Sequence, residues 1–596
     1  MFEEMIFDQE LMKKVEIADI ISFDFFDTLY LRPLSDPEDA FTILGEKLNI
    51  TDFKVKRQQA QVEAFKVMLK EGRKEITLDN IYSCFPETQY TKDVLMQAEY
   101  ELELDLIEPN YELFPLFKKL IASEKKVIII SDMYFSKKFF EEALAKQNIE
   151  KITIFSSADA NATKRDRGEL FDFVSKELKI EPGKILHIGD SELVDYKRPA
   201  EKGLLSYHYV ASRFREKKKN VSLCTSIAEG LLRSKARQIS YGSYEELGFL
   251  IGGPANLGFL EWIRAKAQAD SIEHILFFAR DGFILTKILD KHMEGKFPSY
   301  SYFYGSRTTF TLAAMTESNF SSYIPFLISG SEGLSPCEVL ERIGVKVPAP
   351  NIMENFGLGA KTIITPALQD KLVQFLYAWR WEILKVCQRN RRGLFQYLAQ
   401  LGIKNHQKVA VVDVGWSGTT QEAFINAISP FMNLDVYGYY FCLADTPERV
   451  RRQSQLKMSA LFDSTNSSPD IIAKIYAARV AVEFFFSAPH NSIIGFNPSK
   501  RKVLPIEDSG RGGDNNLSVA IKSLCEGVEC FIDKYFNIQR HLNLNQNAQL
   551  IAMPIVEIAC INDWREYKLI TQFNNFDAWG SSRNKKLKAT DYSCNP

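Results

Sequence analysis

Four short stretches in the first third of the chain carry residues that together could handle a phosphoryl group. They are FDFFDTL (Phe23 to Leu29), IIISD (Ile128 to Asp132), a basic segment with Lys164, and HIGDSELVD (His187 to Asp195). A carboxylate such as Asp24 can attack phosphorus and form an aspartyl-phosphate. Carboxylate and phosphate repel each other unless a cation lies between them. Magnesium does this with oxygen ligands from one or two carboxylates, water and substrate. A hydroxyl and an ammonium can then hold the phosphoryl oxygens as charge shifts. Asp24, Asp190, Ser131 and Lys164 are the residue types that such a reaction needs.

The elements around these stretches have to bring them together. ADIISFD, from Ala18 to Asp24, is an apolar run too short for a helix and reads as a buried strand ending in a carboxylate. KKVIII, ITIF, KILHI and LSYHYV read as further strands, with helical stretches such as KKFFEEALAKQ and LFDFVSKELK between them. Strands alternating with helices imply a parallel α/β sheet. Each of the four stretches then lies at the carboxyl edge of the sheet, where open α/β sheets bind ligands. From about Asp36 to Leu120 the apolar residues recur at three- and four-residue spacing, predicting a helical insertion after the first strand.

In order and spacing, this set resembles the four motifs of the haloacid dehalogenase-like (HAD) superfamily, over about residues 18–212. The resemblance implies a Rossmannoid sheet with a helical C1-type cap at about 33–120 and Mg2+ as cofactor. Asp24 would be the nucleophile, with Thr28 closing its turn. Ser131 and Lys164 would be the second- and third-motif residues, with Arg165 and Arg167 close enough in sequence to compete for the lysine's role. Asp24, the backbone carbonyl of Phe26, Asp190 and Asp195 would surround the metal, Asp195 as support or as a second ligand.

One position departs from the pattern. The phosphatases of this superfamily carry a second Asp two residues past the nucleophile, which protonates the leaving group, and Phe26 stands there. Asp27, one residue further, is a candidate substitute. Haloacid dehalogenases also have an aromatic residue at that place, which makes dehalogenation a rival. They resemble this chain less at the fourth motif, where GDSELVD keeps both acids, and phosphoryl chemistry is the favoured reading.

In the second half, FFARDG (Phe277 to Gly282) places Arg280 and Asp281 after a strand, and VAVVDVGWSGTTQEAF (Val409 to Phe424) places Asp413 at a strand end. Ser417, Thr419 and Thr420 lead into a helix whose N-terminal N–H groups favour an anion. Arg307, in YGSRTTF, is a further candidate anion contact. The loop weakly resembles that of phosphoribosyltransferases, one residue short. A tight turn and an ion pair between Arg280 and Asp281 would explain the same residues. AVEFFFSAPH (Ala481 to His490), with Glu483 inside it, reads as core. Over about residues 18–490 the chain resembles a bacterial family of HAD hydrolases of surface-polysaccharide biosynthesis, through FDxFDTL, SDMY, HIGD, ARDG and DxGWxGxxQ. That implies a cytoplasmic role near glycan assembly, with association with glycan-assembly enzymes. The substrate would be a phosphorylated sugar or a nucleotide-linked intermediate.

With 596 residues the chain exceeds a single core. The expected parts are an HAD-like domain at 1–220, a second α/β domain at 221–505 that binds phosphate or nucleotide, and a loop with a mostly helical segment at 506–596. The basic run Arg213 to Asn220 marks the first boundary, DSGRGGDNN (Asp508 to Asn516) is the most loop-like stretch, and the end from about Arg583 is expected to fray. A net charge of −2 argues against broad nucleic-acid binding. The start lacks the pattern of a secretory signal and no apolar run is long enough for a membrane span. The nine cysteines include no CxxC pair and read as free thiols. Two other functions fit the same residues: a glycosyl- or phosphoribosyl-type transferase in the C-terminal half with the first domain auxiliary, and a non-catalytic binding module.

Overall fold

Short apolar runs set the first sheet. In this computed structural model, the residues described are 8–123, 125–211, 218, 220–236, 238–498, 502–508, 515–544, 547–561, 568–571 and 579. The chain divides into two compact units, 1–238 with 534–545 and 239–533 with 546–596. In the first unit, β1 (Ile20–Phe23), β2 (Lys126–Ser131), β3 (Thr153–Ser156), β4 (Ile185–Gly189) and β5 (Leu205–His208) form one sheet in the order β3-β2-β1-β4-β5. Every pairing is parallel, and β1 is bonded to both β2 and β4. Ile21, Phe23, Ile128, Ile129, Ile130 and Ile188 are fully buried, as strands covered on both faces must be. The strand order reverses between β1 and β4, so the residues after these two strands face one crevice.

The insertion between β1 and β2 is helical, as expected: Asp39–Leu48, Phe53–Lys70, Leu78–Ser83 and Lys92–Leu106 precede Phe114–Ala122. Its interior is partly ionic. Arg57 donates twice to Glu99, at 2.7 Å each, and both side chains are buried. Tyr82 donates to the same carboxylate at 2.6 Å, and the Phe41 ring lies 4.6 Å from the guanidinium. Breaking such a pair leaves a buried charge alone. Glu99→Ala is expected to lower stability by about 3–5 kcal/mol, while Arg57→Met combined with Glu99→Leu should lose far less. Urea unfolding of both variants checks this.

Helix Leu223–Lys235 belongs to the first unit, so that unit runs past the boundary expected at 220. The cause is close packing. A Cβ on Gly230 would lie 2.1 Å from the backbone N of Leu34, and Ser226 Oγ accepts a hydrogen bond from Ser35 N at 3.0 Å. Of the basic run, only Lys218 and Asn220 are among the described residues.

The second unit has its own sheet: β6 (His274–Phe278), β7 (Ser299–Phe303), β8 (Lys408–Trp416), β9 (Asp435–Leu443) and β10 (Lys457–Phe462), in the order β10-β9-β8-β6-β7 and all parallel. Between β7 and β8 stands a helical layer with its own core, which includes Leu312, Leu340, Met353, Phe375 and Ile383. The sequence pattern does not anticipate it. An antiparallel pair, β11 (Ile493–Asn497) and β12 (Leu504–Glu507), follows, so a boundary at about 505 falls inside a strand. Of DSGRGGDNN, residues 509–514 lie outside the described residues, as does the segment from 583 onward. Helices Asn515–Leu542, Ala548–Ile551, Met553–Ile561 and Lys568–Thr571 come after it. Among the described residues no helix is long and apolar enough to cross a membrane.

Candidate active site

Asp24 is the first residue beyond β1. Its N–H donates to Ile188 O of β4 at 2.9 Å, which fixes the backbone just where the side chain leaves the sheet. Lys164, 2% exposed, reaches it from the loop after β3: Nζ lies 2.7 Å from Asp24 Oδ1 and 2.6 Å from Asp195 Oδ1. Asp190 follows β4, and its N–H donates to Thr28 Oγ1 at 3.1 Å. The carboxylate oxygens of Asp24, Asp190 and Asp195 lie within 4.8 Å of one another, the one such cluster among the described residues. Ser131 ends β2, beside β1, and is buried.

Charge is crowded here. Burial, opposed by the Lys164 ammonium and assisted by Asp195 and Asp190, lifts the Asp24 carboxyl from near 3.8 to about 7. Burial would also raise Asp195, but Lys164 and the hydrogen bond from His187 hold it below the usual carboxylate range. Burial would lower Lys164, yet Asp195 and Asp24 keep it charged. Three carboxylates against one ammonium leave an excess of negative charge. The donors are all oxygen, which is the set a hard divalent cation takes.

Of the basic candidates near the third motif, only Lys164 meets Asp24. Arg165 turns to Glu75 of the helical insert with two bonds, at 2.9 and 3.0 Å, and Arg167 N–H donates to Glu169. Phe26 sits among Phe25, Phe139 and Phe140, and the Arg32 guanidinium lies 4.2 Å from its ring. Asp27 has φ +58° and its Oδ1 lies 3.4 Å from Arg233.

Three further residues position the site. His187 is fully buried. Nε2 lies 3.2 Å from Asp195 Oδ1 and Nδ1 lies 2.9 Å from Ser22 Oγ, so a neutral imidazole bridges β1 to the acid. Burial lowers its pKa and favours that neutral form. Asp132 accepts from the backbone N–H of Lys164 at 2.8 and 2.9 Å and of Arg165 at 3.0 Å, which holds the loop that delivers the ammonium. Gly189 leaves room for Asp195: a Cβ there would lie 2.5 Å from Asp195 Cβ. A polar residue in the middle of a fully buried strand needs a partner, and Ser22 and His187 carried that signal in IISF and ILHIG.

In the second unit, Arg280, Asp281, Arg307, Asp413, Ser417, Thr419 and Thr420 all line one cavity. Glu483, read as lying in a core stripe, lines it as well, while Phe484, Phe485 and Phe486 are buried.

Scanned against known protein families, the chain matches no family model, and no curated protein matches it. Among solved structures, a HAD-family enzyme from Bacteroides thetaiotaomicron, in complex with magnesium and inorganic phosphate, aligns at 15% identity with a TM-score of 0.25, over 33% of this chain and 96% of that one. A 2-haloacid dehalogenase from Pseudomonas syringae pv. Tomato aligns at 14% identity with a TM-score of 0.26, over 37% of this chain and 100% of that one. A HAD phosphatase from Thermococcus onnurineus aligns at 16% identity with a TM-score of 0.22, over 33% of this chain and 88% of that one. These neighbours are HAD-family hydrolases and dehalogenases.

Proposed function

We propose that the first unit is a magnesium-dependent phosphohydrolase of the HAD type, with Asp24 as nucleophile. The observation that carries this is the Asp24, Asp190 and Asp195 cluster with Lys164 bridging two of its members. Asp24, Asp190 and the Phe26 carbonyl would hold the ion, with Asp195 anchoring Lys164 or serving as a further ligand. When bound, the ion screens the approach of one anion to another and draws charge from the phosphoryl oxygens.

Asp24 attacks phosphorus and the leaving group departs with the bonding pair, giving an aspartyl-phosphate that water then hydrolyses. Lys164 and Ser131 steady the phosphoryl oxygens. No carboxylic acid stands at position 26, and the Asp27 side chain is engaged by Arg233 at 3.4 Å. The substrate therefore has a leaving group that is already a weak base, as in an acyl phosphate or an anhydride of a nucleotide-linked intermediate. Dehalogenation is the poorer fit, because it gives no work to the extra acids. Of the phosphorylated sugar and the nucleotide-linked intermediate that FDxFDTL and ARDG point to through their resemblance to surface-polysaccharide proteins, the nucleotide-linked anhydride meets this requirement, in cytoplasmic glycan assembly alongside enzymes of that process.

The test is phosphate release from acyl phosphates, sugar phosphates and nucleotide sugars. With magnesium, release is expected from at least one anhydride; EDTA should abolish it and added magnesium should restore it. Release unchanged by EDTA would refute the metal's role. Silence across the panel, with intact ligand binding, would favour a non-catalytic module.

A further inference from the structure

The strand order of the second sheet reverses between β6 and β8. In open parallel sheets the crevice at that point is where ligands settle. A cavity of about 500 Å3 lies there, lined by residues that follow both strands. That volume suits a small phosphorylated metabolite.

Its walls divide into two kinds of chemistry. Arg280, beyond β6, and Arg307, at the start of helix Arg307–Ala314, both line the cavity, and among the described residues neither has a carboxylate at ion-pair distance. Arg342 differs, since it is committed to the backbone carbonyls of Leu327 and Ser329. Ser417, Thr419 and Thr420 surround the N-terminus of helix Thr419–Ile428. The loop is fixed: Arg452 donates to Ser417 O at 3.2 Å, and Gly418 has φ +76° with Met458 where a Cβ would go. Guanidinium groups, hydroxyls and a helix N-terminus are the set that takes a phosphate.

The second kind is acidic. Asp413 and Asp281 both line the cavity, and Asp281 Oδ2 accepts from Val414 N at 3.0 Å. Burial and the charge of Asp281 keep Asp413 protonated far above the usual carboxylate range. Two neighbouring acids, one of them protonated, can donate as well as accept, and they are of no use to a bare anion. Glu483 accepts from Trp416 Nε1 at 2.7 Å, and the Trp416 and Tyr476 rings, 6.0 Å apart, line the same cavity. Sugar hydroxyls beside an aromatic wall meet both features.

We propose that this cavity is a second ligand site, separate from the Asp24 centre, which binds a phosphorylated sugar: Arg280 and Arg307 hold the phosphate, and the Asp281–Asp413 pair holds sugar hydroxyls. The site needs no metal, and that separates it experimentally from the first.

Calorimetric titration of the full chain in EDTA tests it, with glucose 1-phosphate, ribose 5-phosphate, UDP-glucose, inorganic phosphate and glucose as probes. At least one phosphorylated sugar is expected to bind, about tenfold or more tighter than phosphate or glucose alone. Tighter binding of UDP-glucose than of glucose 1-phosphate assigns a nucleotide-linked ligand, and the reverse assigns the free sugar phosphate. Arg307 is exposed, so Arg307→Ala should leave the fold intact and weaken binding by roughly 10- to 100-fold, the loss of a charged hydrogen bond. Asp413→Ala should bring sugar phosphates down to the affinity of inorganic phosphate, and Asp24→Asn, which removes phosphate release, should leave these affinities in EDTA as they are. Absence of binding by every probe, binding indifferent to Arg307→Ala, or binding lost in Asp24→Asn would overturn the proposal.

Discussion

Asp24→Asn is expected to cut phosphate release by roughly 10⁴-fold or more, the scale seen when a covalent nucleophile is removed. The amide keeps the volume of the side chain and its hydrogen bond from Lys164, but it has no charge with which to attack. A loss of that size could also come from misfolding, and stability separates the two causes. In metal-free protein the buried Asp24 carboxyl has its pKa raised from near 3.8 to about 7. The unfolded chain therefore releases this proton before the native state does. The stabilising contribution is fully present below about pH 4 and is lost as pH rises through about 7. Asparagine does not titrate, so in EDTA the variant should melt above the parent at pH 8 and lose that advantage near pH 4. A variant that is less stable than the parent at pH 8 would count against the crowded-carboxylate account.

The parent protein should also discriminate sharply by leaving group. General acid catalysis is worth about 10²–10⁴-fold, and an alkyl phosphate needs it where an acyl phosphate does not. The value of kcat/KM for acetyl phosphate should exceed that for glucose 6-phosphate by roughly this factor. Comparable values would mean that another group supplies the proton. The sequence alone invites Phe26→Asp as a repair of the missing acid. The surroundings argue otherwise, because Arg32 lies 4.2 Å from the Phe26 ring and pairs with Glu103 at 2.8 Å. An aspartate there would meet a guanidinium and stay ionised. The single substitution should leave most of the gap in place, which the same two substrates would measure.

The strands and the acids that end them were legible because both are local: IISF, KVIIIS and ILHIG are short apolar runs, and a carboxylate or serine sits at or just beyond each end. The helical insertion was legible from its periodicity. What sequence could not provide were pairings between distant residues. Ser22 and His187 are 165 positions apart, and only the β1–β4 register sets them side by side. Lys164 was the best match in sequence, with Arg165 and Arg167 close enough to compete, and the N–H groups of Lys164 and Arg165 that donate to Asp132 fix the loop that turns Lys164 inward. Asp27 looked available until Arg233, from a helix assigned to the next domain, faced it. Glu483 was hidden by its apolar neighbours, since a six-residue helix gives too little periodicity to show that one position faces a cavity. Seven of the residues that line the cavity of the second unit were named from strand-to-loop junctions, a helix N-terminus and a weak loop resemblance, and the topology of parallel sheets does most of the placing.

The paired hydrogen bonds from Arg165 to Glu75 have a consequence for protein engineering. Glu75 belongs to the helical insertion, and Arg165 adjoins the lysine at the centre of the charge cluster. A chimera that exchanged the insertion for another of matched length would arrive without its anionic clasp. The guanidinium beside the essential lysine would then keep, among the described residues, only Asp166, 3.8 Å away, as an ion-pair partner. Transplants of this module will have to carry the clasp along, or neutralise position 165 in the recipient.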